Sequence, residues 1–471
     1  MRAIVDTDSA MMHELERRFS NLILPNHLLN RALVSYQGNK RLPGYRWFHY
    51  KEGFSIPMVE YFLHHAGFAH RGRLLDPFSG SGSALFAAQN LGWSSVGIEL
   101  LPIGRAIVEA RIASLHVSQA DLLSIAEKIS SIDLINYTNG VDSIVELNIT
   151  RGAYPESNKI EINGYLEFIR NHFNNPFLYT LLKFAALCVL ESVSYTRKDG
   201  QYLRWDYRAN KQSGEKRFDK GEIAKFKEAV ISKILQFSED LSSLNRIHDT
   251  NSLPPMQLVD GSVLDKIHEI QDESIDIVIT SPPYLNRYDY TRTYALELAF
   301  LGIDDLDIKK LRQEMLSCTV ENREKDSKLA TLYERFDKKA LYDRAMNAFN
   351  NQQIIAEVLD RLHQLRRIGK LNNPNVVKMV RNYLLEMTVV IFELSRVLKP
   401  YGRLYMVNDN VRYGGLIIPV DLILSDIASC AGIQTEVIWT LPRGKGNSSQ
   451  QMGLHGRTEL RKSIYVWLKK E

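Results

Sequence analysis

Four consecutive residues, Ser281-Pro282-Pro283-Tyr284, follow directly on IDIVIT (275–280), an almost unbroken apolar run of the kind that forms a buried strand of a parallel sheet. Two prolines after such a strand fix a rigid loop and remove two backbone donors. What projects there is a hydroxyl, backbone carbonyls and an aromatic ring. That combination suits the exocyclic amine of a nucleobase, whose nitrogen is a poor nucleophile because its lone pair is delocalised into the ring. Accepting hydrogen bonds from both N–H groups, through Ser281 Oγ and the Pro282 carbonyl, draws the nitrogen toward tetrahedral geometry and aims its lone pair at an electrophilic methyl. Tyr284 can stack on a base taken out of a duplex. The plain alternative is a Pro-Pro turn that only ends a strand.

A second segment supplies a place for a nucleoside cofactor. In RGRLLDPFSGSGSALFAAQNLGWSSVGIEL (71–100), Leu74-Leu75 begin a short strand that closes at Asp76. Pro77-Phe78 and the turn Gly80-Ser81-Gly82 follow, then a helix and a second strand ending in Glu99. Glycines let a backbone pass close to a ligand and present its N–H groups. An acid at the end of the second strand is placed to accept from both ribose hydroxyls. A dinucleotide such as NAD is the rival ligand. The order F-x-G-x-G, with Asp76-Pro77 where a dinucleotide site needs its first glycine, counts against it.

These segments demand a sheet that brings two strand ends together. The α/β rhythm of short apolar strands and helices occupies residues 45–115, 256–300 and 385–471, which predicts one catalytic domain with a mostly parallel, doubly wound sheet. Two largely helical, charge-rich insertions, 116–255 and 301–384, separate its parts. Within the first, 164–195 and 220–241 have helical spacing of their apolar residues.

The chain of 471 residues carries a formal net charge of +4 and a pI near 8.7, which permits a polyanion partner without requiring one. Cys188, Cys318 and Cys430 lie far apart in no C-x-x-C pair, which argues against a zinc ribbon, an iron–sulfur site or a disulfide scaffold, and three buried thiols are expected. No metal is expected. The N-terminus lacks the basic flank and apolar run of a signal peptide, and no stretch approaches 18 uninterrupted apolar residues. The expectation is a cytoplasmic protein with no membrane partner.

Together, Asp76-Pro77-Phe78-Ser79-Gly80-Ser81-Gly82 and Ser281-Pro282-Pro283-Tyr284 resemble the cofactor loop and the [DNS]-P-P-[YFW] loop of the DNA amino-methyltransferases, the N4-cytosine and N6-adenine methylases. The resemblance implies a Rossmann-like methyltransferase fold, S-adenosylmethionine as methyl donor and double-stranded DNA as substrate. HYKEGFSIPMVEYFL (49–63) resembles the family's cofactor-flanking motif, with Phe54 and Pro57 toward the methionine end. VDGS (259–262) would put Asp260 near the adenine. RVLKPYGRLYMVNDN (396–410) and GRTELRKSIYVWLK (456–469) resemble the helix-turn-strand after the catalytic loop and the closing strand. The insertions lie outside the resemblance. The glycine loop precedes S-P-P-Y, which excludes the subclass of reverse order, and a gap of nearly 200 residues between them departs from the pattern. S-P-P-Y accompanies cytosine methylation more often, so cytosine N4 is favoured over adenine N6.

Candidate DNA contacts follow from charge. Residues 361–385 hold six Lys/Arg and no acid, Arg366, Arg367 and Lys370 among them. Residues 194–217 interleave aromatics with Arg197, Lys198, Arg204, Trp205 and Arg208, a pattern that also describes a hairpin packing its rings on the core. Arg443 and Lys445 belong to a glycine-rich basic loop, and Arg287 follows the S-P-P-Y loop directly. Solvated helix faces and surface loops are the alternatives. Rival functions are RNA amino-methylation, methylation of a protein glutamine, and a non-catalytic DNA- or cofactor-binding subunit of a restriction assembly. Neither insertion holds a nuclease motif, so a cognate restriction endonuclease would be a separate chain.

Overall fold

The computed structural model describes residues 10–30, 32–51, 53–138, 144–200, 202–209, 211, 217–244, 253–441 and 460–470. Among them the strands are β1 (Ile23–Pro25), β2 (Arg73–Asp76), β3 (Ser94–Glu99), β4 (Thr196–Asp199), β5 (Tyr202–Trp205), β6 (Met256–Asp260), β7 (Ile275–Thr280), β8 (Leu398–Asp409), β9 (Val411–Tyr413), β10 (Leu416–Ile418), β11 (Ile433–Thr440) and β12 (Lys462–Lys469). Eight of these form one sheet in the order β1-β11-β12-β8-β7-β2-β3-β6. Every neighbouring pair is parallel except β11–β12 and β12–β8, so β12 alone runs against the rest. This is the expected Rossmann-like methyltransferase fold.

From β2 the chain builds outward through β3 and β6 on one side, and through β7 and β8 on the other. The order therefore reverses between β2 and β7, which pair through Leu74–Ile277 and Leu75–Val278. In an open α/β sheet the crevice beyond the carboxyl ends of such strands is where ligands bind. Both loops singled out above leave the sheet there.

Several elements differ from expectation. The apolar run 164–195 is broken: helices span Glu156–His172 and Pro176–Val189, because the Asn175 side chain caps the second helix and Pro176 starts it. The second run begins later than expected, as helix Phe226–Leu244. A 22-residue helix, Val376–Val397, starts inside the expected second insertion and lies against the sheet, its face from Tyr383 to Leu394 buried. The N-terminal residues, which carry no motif, supply β1 at the sheet edge. Of the three thiols Cys318 is buried, Cys188 half-buried and Cys430 exposed, so the expectation of three buried thiols holds fully for only one. No described helix is long and apolar enough to cross a membrane.

The two insertions have different cores. Helices of the first pack with helix Pro102–Ser114 around Trp47, Phe48, Tyr165, Phe184 and Phe237. The second insertion contributes Leu329, Tyr333, Tyr342 and Leu362 to the core built on helix Val376–Val397 and β8. Each insertion is thus anchored in a different core, the first with helix Pro102–Ser114 and the second with helix Val376–Val397.

Candidate active site

A cleft of about 750 Å³, counting its open mouth, lies beyond the β2 and β7 ends. Its walls include Tyr50, Phe54, Pro77, Phe78, Gly80, Glu99, Ser281 and Pro283, so the two motifs share one cavity. Gly80 and Gly82 sit at φ +51° and +74°, backbone that glycine adopts without strain. At Gly82 a Cβ would also lie 2.7 Å from Val108 Cγ2. The turn thereby brings the Gly80 N–H to the Glu99 carboxylate, 2.5 Å away, and the other Glu99 oxygen accepts from the Leu101 N–H at 2.7 Å.

Glu99 is buried, and burial pushes its carboxyl up to about 8 against the pull of those two N–H donors. Asp76, fully buried, is raised to about 7 for the same reason, although Thr280 and the Phe78 N–H bond to it. Asp76 Oδ2 is buried without a hydrogen-bond partner among the described residues. Two buried carboxyls with little compensating positive charge make a site that favours a cation. Four aromatic residues on the wall, Tyr50, Phe54, Phe78 and Tyr290, add faces to which a cation is also attracted. S-adenosylmethionine, with a sulfonium, an ammonium and a ribose diol, fits this donor set.

Asp260 stands at the end of β6, but its side chain is 63% exposed and paired with Arg105. The lining at that point comes from Gly261, Ser262 and Val263. Pro57 opens helix Ile56–Ala66, whose N-cap is Ser55, and only Phe54 of that motif reaches the cleft wall.

The S-P-P-Y loop is held from both sides. Thr280 Oγ1 donates to Asp76 Oδ1 at 2.7 Å, joining the last residue of β7 to the last residue of β2. Ser281 Oγ donates to Tyr284 Oη at 3.1 Å, which leaves the Ser281 lone pairs as acceptors. Ser281 and Pro283 face the cleft, whereas Pro282 is buried. Tyr284 is buried too, with Lys462 of β12 over its ring at 5.4 Å. Tyr413 Oη donates to the Leu285 carbonyl at 2.7 Å and steadies the far end of the loop.

Sequence reasoning missed several wall residues. Tyr50 was within a recognised segment, and its ring stacks on Tyr294 at 5.2 Å. Behind the wall, Gly104 was missed as well: a Cβ there would stand 2.6 Å from the Gly80 carbonyl and 2.8 Å from Glu99 Cγ, so its absence lets helix Pro102–Ser114 close on the glycine turn. Met315 and Leu316 reach the wall from the second insertion, and nothing in their sequence surroundings signals it.

The candidate DNA contacts are divided. In the β4–β5 hairpin, Arg197 and Arg204 face outward as direct cross-strand partners. Trp205 and Lys198 do not: Trp205 lies in the apolar core, and Lys198 is buried on Glu297 and over the rings of Phe48 and Tyr294. Trp205 and Lys198 therefore serve the packing of the hairpin rather than its surface. Arg208 chelates the Asp206 carboxylate. Arg366, Arg367 and Lys370 are exposed at and beyond the end of helix Gln353–Arg367. Arg287 is half-buried beside the S-P-P-Y loop, while Arg443 and Lys445 lie outside the described residues. No group of three or more His, Cys, Asp or Glu arranged to hold a metal occurs among the described residues.

No protein-family model matches the chain. It is 45% identical over 459 residues, 97% of this chain and 92% of the relative, to Type II methyltransferase M.AvaI of Nostoc sp. (strain PCC 7120 / SAG 25.82 / UTEX 2576). The protein of the same name from Anabaena variabilis matches to the same extent. Type II methyltransferase M.BsoBI of Geobacillus stearothermophilus is 39% identical over 472 residues, 97% of this chain and 91% of that one. With its two motifs at the ends of adjacent central strands, and with this likeness running along nearly its whole length, the chain belongs to the type II methyltransferases, within the DNA amino-methyltransferase family.

Proposed function

We propose that the protein methylates the exocyclic amino group of a base flipped out of double-stranded DNA, at a specific sequence, with cytosine N4 as the acceptor. Adenine N6 is the second reading, since the loop chemistry serves either amine. The observation that carries the proposal is the sharing of one cleft by Ser281 and Pro283 with Gly80 and Glu99. An acceptor loop and a nucleoside-binding loop within one cavity are what transfer between a bound donor and a base amine requires.

When bound, S-adenosylmethionine supplies an electrophilic methyl group. Glu99 would take the ribose hydroxyls, and Phe54 and Phe78 would flank the remainder. The Ser281 hydroxyl, whose proton is turned to Tyr284, and the Pro282 carbonyl accept the two amine N–H groups and localise the nitrogen lone pair. Tyr284 stacks on the extruded base and repays part of its unstacking. The rigid Pro-Pro backbone holds these acceptors without reorganisation during the reaction. Arg197 and Arg204, on the outward face of the β4–β5 hairpin, supply phosphate contacts. The setting would be restriction-modification in the cytoplasm, with any cognate endonuclease on a separate chain.

Expression in a methylation-free host, followed by genomic sequencing that distinguishes N4-methylcytosine from N6-methyladenine, tests this. N4-methylcytosine at one recurrent sequence is the expected result. N6-methyladenine would select the second reading, and unmodified DNA would move the assignment to RNA.

A further inference from the structure

The two insertions, separated in sequence by residues 256–300, meet the same short segment after the S-P-P-Y loop. Tyr288 Oη donates to the Gly200 carbonyl at the β4–β5 turn, 3.3 Å away. Its neighbour Arg287 donates through Nη1 to Asn372 Oδ1, 3.1 Å away, in the turn that follows helix Gln353–Arg367. Arg287 occupies φ +65°, a left-handed backbone that a non-glycine residue adopts at some cost and that commonly marks a functional loop.

The turn at Asn372 is both built and charged. Gly369 reverses it at φ +68°, and it packs on Gly414, where an added Cβ would come 3.2 Å from the Lys370 carbonyl and from Leu371 Cδ2. Arg366, Arg367 and Lys370 are exposed on it, with Ile368 47% exposed among them. Other arginines of the same stretch are committed, Arg361 to Glu357 and Arg381 to Asp326. Arg366 and Arg367 have no acidic partner among the described residues. A helix C-terminus favours cations, yet that accounts for neither the exposed isoleucine nor the hydrogen bond to Arg287.

We propose that the turn 366–372 is a DNA-backbone clamp, in which Arg366 and Arg367 neutralise phosphates of the strand beside the methylated nucleotide. The proposal rests on the DNA-methylation reading and narrows the basic stretch of the second insertion to two arginines held at a fixed place beside the S-P-P-Y loop. Charge complementarity selects the partner, and the Arg287–Asn372 bond fixes the distance between clamp and catalytic loop.

The test compares duplex binding by the full-length protein and by the double variant Arg366→Ala, Arg367→Ala across a salt series. Losing two phosphate contacts should lower the slope of log affinity against log salt by about two. Wild-type affinity should then fall about tenfold more than the variant's between 50 and 200 mM salt. Affinity for S-adenosylmethionine should be the same in both. A control, Lys309→Ala with Lys310→Ala on the exposed face of helix Asp305–Glu314, removes equal charge elsewhere on the insertion. Equal slopes for wild type and the arginine variant overturn the clamp, as does an equal loss in the lysine control. A wild-type protein that neither binds nor methylates duplex DNA refutes the underlying function instead.

Discussion

The hydroxyl of Thr280 and the carboxylate of Asp76 meet at 2.7 Å, tying the strand that ends in the acceptor loop to the strand that ends in the cofactor loop. This bond is also one of two that favour the ionised form of Asp76 against the effect of its burial. Thr280→Val removes it and leaves a buried carboxyl with the Phe78 N–H alone. Denaturant unfolding should show a loss of about 1–3 kcal/mol, and KM for S-adenosylmethionine should rise as the loops lose register.

Ser281 and Tyr284 are separable by graded substitution. Ser281→Ala removes an acceptor aimed at the amine and should lower kcat by about 100-fold or more while leaving cofactor affinity near wild type. Tyr284→Phe keeps the stacking ring but releases the Ser281 hydroxyl, and should cost less. Single-turnover methylation with cofactor titration checks both. Wild-type rates in the two variants would remove the loop from the chemistry.

The buried carboxyls give a pH dependence of definite sign. Asp76 and Glu99 lie near 7 and 8 in the fold, against ordinary values of 3.8 and 4.5. Between those values the folded chain holds protons that the unfolded chain has released, so stability of the cofactor-free protein falls as pH rises across that window. Donors from a ribose favour the ionised Glu99, so affinity for S-adenosylmethionine should rise with pH toward 8 and binding should release protons. Calorimetry in buffers of different ionisation enthalpy measures this release. Glu99→Gln should flatten the dependence.

Gly104 tests the close approach of a helix to the cofactor loop. Gly104→Ala places a methyl group 2.6 Å from the Gly80 carbonyl, and backbone must move. A loss of about 1–3 kcal/mol with weakened cofactor binding is expected. Gly152→Ala, in open space but at φ +73°, gives the cost of a left-handed backbone without a steric clash.

Much of the site was legible in the linear chain because its parts are local. Asp76 through Gly82, Glu99 and Ser281 through Tyr284 each sit at the end of an apolar run, and strand ends are where a parallel sheet gathers ligands. Helix boundaries inside the insertions were less legible. Asn175-Pro176 split an apolar stretch that periodicity alone reads as continuous, and Val376–Val397 looks like charged insertion at its start and sheet-packed core along its length.

The sequence by itself determined the groups that meet at the cleft: a glycine turn with a following acid, and a loop made rigid by two prolines, are properties of neighbouring residues. Only the tertiary structure decided what surrounds those groups. Gly104 is one glycine of 27 until the helix packs on Gly80. Trp205 and Lys198 look like Arg204 until strand alternation turns two of them inward and leaves the arginine outside. Arg287 and Asn372 are 85 positions apart, and Tyr288 and Gly200 are 88 apart. Such meetings depend on which face of each element is apolar enough to bury against another, a property of whole surfaces that no short stretch of sequence contains.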